Sequence, residues 1–188
     1  MRSTRTDPSG PSDRDDGRAP RTAVDAFRSL MSGFPSGVAV VTTVDGSGAP
    51  RGLTCTSMCG VGLHPPSLLV CVDNRSGTLR ALCESGAFAV NLLHTGGRST
   101  AETFATRGRD RFADVAWEPT ARYRVPRLTE DAHATAECRV LRTHPAGDHT
   151  VVIGAVEEVL SRPGAPLLYG RRRFADWSRL AEPTTGER

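Results

Sequence analysis

Val38-Ala39-Val40-Val41-Thr42-Thr43-Val44 is the stretch from which the fold is read. It is a β-branched run, and such side chains are stiff at χ1 and suit a pleated strand. Asp45-Gly46-Ser47-Gly48-Ala49-Pro50 closes it with turn-forming residues, and residues 51–58 can return as its hairpin partner. Upstream, Ala23, Val24, Phe27, Leu30 and Met31 recur at helical spacing, which predicts one amphipathic helix ending near Gly33. Downstream, residues 67–73 form an apolar strand after Pro65-Pro66. Ser76 or Thr78 caps a short helix that Gly86 ends, and Phe88-Ala89-Val90-Asn91-Leu92-Leu93 is the next strand. A polar helix over 99–106 follows, then strands over 134–142 and 150–160 around a loop at 143–149, and a short strand over 166–169. Many short strands between Gly/Pro turns predict a mainly β protein, a small antiparallel barrel with peripheral helices. The helices do not alternate with strands as a doubly wound sheet requires.

Composition narrows the classes. The chain of 188 residues is 38% hydrophobic and 24% charged, enough for one domain with a substantial core. Its net charge of +3 is too small to point to nucleic acid; all 24 basic residues are arginine, which a GC-rich coding bias explains. No run approaches the roughly 18 apolar residues of a membrane helix, and the polar start through Arg21 lacks a secretory signal. The five cysteines are odd in number and form no C-x-x-C pair, so free thiols in a reducing cytoplasm are expected. The five histidines are scattered, and no metal site is predicted. Residues 1–21, with almost nothing apolar, read as a disordered arm, 22–178 as the folded domain and 179–188 as a flexible tail.

Four segments in order carry a resemblance. They are Phe34-Pro35-Ser36-Gly37-Val38-Ala39-Val40-Val41-Thr42; Gly52-Leu53-Thr54-Cys55-Thr56-Ser57 running to Pro65-Pro66; Ser76-Gly77-Thr78 with Gly86-Ala87-Phe88-Ala89-Val90-Asn91; and Gly147-Asp148-His149-Thr150-Val151-Val152-Ile153-Gly154 followed by Pro166-Leu167-Leu168-Tyr169. Together they resemble the flavin reductase family built on the FMN-binding split barrel, the small partners of two-component monooxygenases. The chain departs from that pattern at Met58, Gly60 and Gly62, and near the end at Gly170 and Phe174, where the family's ring and hydroxyl are missing.

A flavin needs a floor for its ring, polar groups at the pyrimidine edge and an anchor for phosphate; the flavin itself performs the redox chemistry. Thr54, Cys55, Thr56, Ser57, Met58 and Cys59 offer backbone N–H groups and small hydroxyls to a flat ring, with Thr54, Thr56 and Met58 expected on one strand face. An ordinary polar edge strand reads the same way. Ser76, Gly77 and Thr78 open a helix whose N–H groups and positive dipole end favour an anion, with Arg75 or Arg80 adding charge; a plain N-cap is the competing reading. The resemblance implies that Ser36 and Tyr169 also contact the cofactor and that His149 orients the nicotinamide. Asn91 is either a flavin contact or a structural amide.

The resemblance implies a homodimer in which NADH or NADPH passes hydride from nicotinamide C4 to N5 of FMN or FAD, and reduced flavin leaves for a separate flavin-dependent monooxygenase. Two rivals share the fold: a split-barrel oxidase or haem-degrading enzyme that retains its flavin, and a non-catalytic flavin- or nucleotide-binding sensor.

Overall fold

A computed structural model describes residues 22–106, 108 and 110–177; the expected arm at 1–21 and tail at 179–188 lie outside the described residues. The chain forms two units, residues 1–31 and 32–188. Helix α1 (Ala23–Ser32) belongs mostly to the first, with the apolar stripe its spacing predicts. The second holds β1 (Ser36–Gly37), β2 (Ala39–Val44), β3 (Pro50–Cys55), β4 (Met58–Leu63), β5 (Pro66–Asp73), α2 (Gly77–Ser85) and β6 (Ala87–Leu93). It continues through α3 (Arg98–Ala105), β7 (Trp117–Pro119), β8 (Pro126–Leu128), β9 (Ala132–Ala146), β10 (His149–Ser161), β11 (Leu167–Gly170) and β12 (Arg173–Asp176).

Seven strands make one antiparallel sheet in the order β3-β2-β6-β9-β10-β5-β4, beside a three-stranded sheet β1-β11-β12 and the pair β7-β8. The opening β-branched run is β2 and it is buried on both faces. Ala39 and Val41 join a core with Leu68, Val70, Leu82, Phe88 and Val152. Val38 and Val40 point the other way, into a second core with Leu93, Phe104, Leu128 and Leu167. Each such valine contributes about 1.5–3 kcal/mol on burial. An unbroken apolar run is what a strand covered on both sides requires, since an alternating one would bury polar groups on one face.

The polar members of the run are satisfied internally. Thr42 Oγ1 donates to the Pro126 carbonyl and Thr43 Oγ1 to that of Ala87. Asn91 on β6 is fully buried: its amide nitrogen donates to Val40 O and Thr42 Oγ1, and its oxygen accepts from Leu128 N and Thr135 Oγ1. Asn91 thus has the structural role that was one of its two readings. Its hydrogen bonds are spent tying β2, β6, β8 and β9 together.

Two strand expectations need correction. Residues 51–58 do not form one strand. The register ends with Ala39 opposite Cys55, so β2 has no further residue to offer. The chain breaks at Thr56–Ser57 and starts again as β4, which pairs with β5 through a bulge between Gly60 and Gly62. Met58 and Cys59 therefore sit on a different strand from Thr54, and the shared face expected for Thr54, Thr56 and Met58 does not exist. The loop expected over 143–149 shrinks to Gly147–Asp148, with Gly147 left-handed (φ 62°), because β9 and β10 pair up to Ala146 opposite His149. His149 is thus the first residue of a strand.

Replacing Asn91 with Ala strands several fully buried partners. It is expected to destabilise the fold by about 2–4 kcal/mol in urea titration, the cost of leaving buried donors and acceptors unpaired. A loss under about 1 kcal/mol would remove Asn91 as the cross-brace.

Candidate functional site

Where β3 ends, the chain crosses to β5: the Cys71 N–H donates to the Ser57 carbonyl at 2.9 Å, and Ser57 Oγ donates back to Cys71 O. The open seam beside this crossing is a cleft of about 400 Å³. Its walls bring together Thr54, Cys55, Thr56, Ser57, Ser76, Gly77 and His149, residues up to 95 positions apart in sequence (149 − 54). Leu53 and Val72 supply apolar surface, and Arg75 and Arg111 supply charge.

The helix start is formed as the sequence predicts. Ser76 caps α2, its Oγ accepting from Thr78 N at 3.2 Å, and Gly86 ends the helix left-handed at φ 69°. Asp73 orients the approach by accepting from Arg75 N and pairing with the Arg75 guanidinium at 2.8 Å. A Cβ added at Gly77 would meet nothing within 4 Å, so the space over the first turn is open to a ligand. N–H groups and dipole there favour an anion.

His149 arrives through register. It lies opposite Asp73 across the β10–β5 ladder, and Asn74 laces the β9–β10 turn in place. The Asn74 N–H donates to Asp148 O, its amide to Gly147 O, and its Oδ1 accepts from Thr150 Oγ1. His149 Nδ1 lies 2.8 Å from Asp148 Oδ1, with the imidazole about half exposed. That hydrogen bond holds the Asp148 carboxyl below its ordinary range.

Not every expected contact lies in this cleft. Thr54 lines it, but its hydroxyl is spent on the Ala101 carbonyl. Met58 and Cys59 are carried off on β4, and Ser36 and Tyr169 pair with each other across β1 and β11. The Tyr169 ring packs on Phe174, 5.1 Å between centroids. Thr78, nearly buried, faces a neighbouring cleft. Arg111 escaped sequence reading, because it follows an irregular stretch and carries no spacing signal. It bridges the seam by donating to the carbonyls of Gly52 and Thr106.

Burial pushes the Cys55 and Cys71 thiols up, and Cys138 up to about 12, so these are neutral thiols rather than nucleophiles. All five cysteines are free, and among the described residues no cluster of His, Cys, Asp and Glu is placed to hold a metal.

The described residues form an antiparallel barrel whose polar seam opens beside a capped helix start. Residues 31–178 match the family described as "Flavin reductase like domain". The chain belongs to that family, and its fold is the split barrel. It is 52% identical over 157 residues to a flavin reductase (NADPH) of Lentzea aerocolonigenes, covering 84% of this chain and 91% of the relative. It is 49% identical over 163 residues to a flavin reductase (NADH) of Kitasatospora aureofaciens, covering 86% and 85%. Among solved structures, nitrilotriacetate monooxygenase component B from Mycobacterium thermoresistibile superposes with a TM-score of 0.78 at 31% identity, covering 87% of this chain and 91% of that one.

Ser76 is both cap and candidate anchor, and glycine separates the two roles because it retains most of a cap's worth, losing only a few tenths of a kcal/mol. Ser76→Gly is expected to leave Tm nearly unchanged while flavin affinity falls by about 1–3 kcal/mol, read by calorimetric titration. An unchanged Kd would leave Ser76 a cap alone.

Proposed function

We infer that the protein is an NAD(P)H:flavin oxidoreductase that reduces free FMN or FAD and supplies it to a separate monooxygenase. The carrying observation is the single cleft that collects Thr54–Ser57, the Ser76–Gly77 helix start and His149, three segments distant in sequence. The residues fit the group: a polar rim, an open floor over Gly77 and flanking arginines match a ring and its phosphate. The flavin contributes a hydride acceptor at N5 and the nicotinamide a donor at C4.

The chain's own part is positioning. The linker Thr56–Ser57 presents backbone and hydroxyl groups at the ring edge. Ser76 and Gly77 hold the phosphate, and Arg75 and Arg111 add positive charge. His149, its Nδ1 held by Asp148, turns Nε2 to the nicotinamide. Hydride transfer needs donor and acceptor about 3–3.5 Å apart, and a misplacement near 1 Å costs on the order of a hundredfold.

The protein acts as a homodimer with flavin at or near the subunit interface. Val61, Leu63, Val159 and Leu160, exposed in the single chain, support this reading as apolar surface for a second copy. In such a dimer Ser36 and Tyr169 approach the flavin from outside the cleft described above. A cytoplasmic location agrees with five free thiols, and no described helix is long and apolar enough to cross a membrane.

Purified protein is expected to oxidise NADH or NADPH only when FMN or FAD is added; no turnover with any of the four pairings would overturn the reading. His149→Ala is expected to raise KM for the nicotinamide and slow flavin reduction in stopped flow, with flavin Kd unmoved. Equal reduction rates in variant and parent would take His149 out of the site.

A further inference from the structure

Beside the flavin cleft lies a second and larger one, about 870 Å³, lined by Arg51, Arg80, Phe112 and Trp117 among others. The two clefts share Gly77, Gly108 and Arg111, so the second begins where the first reaches the helix start. We propose that this second cleft takes the adenylate half of FAD, and that Arg80 and Trp117 make the protein select FAD over FMN. The proposal rests on the flavin reading of the first cleft.

Covalent connection is the first argument. FMN ends at its phosphate, and with that phosphate at Ser76–Gly77 the larger cleft has no occupant. In FAD a second phosphate is joined to the first, so the adenylate must start beside Gly77 and run onward. A volume of 870 Å³ is within the usual range for ligand sites.

The lining chemistry agrees. Arg80 stands on the first turns of α2 with its side chain 82% exposed, and its partner Glu84 is 3.8 Å away, an exposed ion pair of little strength. A second phosphate can recruit it. Arg51 is already committed to Asp45, whose carboxylate also accepts from Ser47 and Ala49, and Asp110 accepts from the Phe112 N–H. The Asp45 carboxylate is thus paired with Arg51, and Asp110 is the cleft's other carboxylate. Trp117 is 36% exposed and braced edge-on by Phe112 at 5.7 Å, itself braced by buried Phe104 at 5.0 Å. A rigid aromatic surface at a cleft wall stacks a purine without specific hydrogen bonds.

The adenylate of NAD(P)H has the same chemistry. It is disfavoured here because His149 lines only the smaller cleft, and no residue of β9 or β10 lines the larger one. A donor entering at His149 approaches from another side.

Calorimetric titration of FMN and FAD into the parent, Arg80→Gln and Trp117→Ala decides the matter. The parent should bind FAD about tenfold or more tighter than FMN. Each variant should weaken FAD about fivefold or more while FMN stays within about twofold. AMP should compete with FAD and leave FMN titrations unchanged. Trp117→Phe, which keeps a ring, should restore FAD affinity. Arg80 is on an exposed helix position, so its variant reports even where Trp117→Ala does not fold. Equal affinity for the two flavins in the parent, equal losses for both in the variants, or unchanged FAD affinity would overturn the proposal. A raised KM for NAD(P)H with FAD affinity intact would assign the cleft to the donor instead. Binding of neither flavin by the parent would strike the flavin reading itself.

Discussion

Burial of β2 on both faces is the constraint on which the remaining structure hangs. A strand covered on one side needs only one layer of partners. β2 needs two, and the chain supplies them as separate cores, one around Phe88 and Val152, the other around Phe104 and Leu128. Between them the polar groups of β2 cannot reach water, so Thr42 and Thr43 donate to neighbouring backbone carbonyls and Asn91 of β6 donates to Val40 O and Thr42 Oγ1. At about 1–3 kcal/mol for each unpaired buried group, such a brace is as consequential as any methyl group in the core.

That constraint also creates the site. β2 runs out at Ala39 opposite Cys55, and the chain has to leave the ladder. The seam opened there has backbone from two strand ends, a helix start and a hairpin tip around it. A barrel closed without a break would have spent those groups on ladder hydrogen bonds. Here Ser57 and Cys71 make only the bonds that hold the crossing, and Arg111 straddles the gap through the Gly52 and Thr106 carbonyls.

The role proposed for this cleft is holding rather than attacking. Its thiols are raised by burial and stay neutral. Its histidine is oriented by Asp148 within a turn fastened by Asn74, and one wall is the capped start of α2. Such a site suits a family whose ligands bring their own redox chemistry.

The β-branched run, the Ser76 cap, the Gly86 stop and the helix expected over 99–106, which forms as Arg98–Ala105, were legible because each depends on residues close in sequence: turn chemistry, side-chain stiffness and capping act over a few positions. The ordered motifs of the family were legible for the same reason, and the segments at Thr54–Ser57, Ser76–Gly77 and His149 line one cleft. Tertiary structure decided what long-range pairing controls. Whether residues 51–58 made one strand or two depended on where β2 stopped. Whether His149 sat in a loop or a strand depended on how far β9 and β10 paired. Asn91 became a cross-brace only because β8 and β9 brought Leu128 and Thr135 to its oxygen. The brief strands β7, β8 and β12 gave no pattern to read, since three or four residues contain too little periodicity and are held by their partners. Local propensity settles what a segment can be; the register of strands far apart in sequence settles which of its side chains meet a ligand.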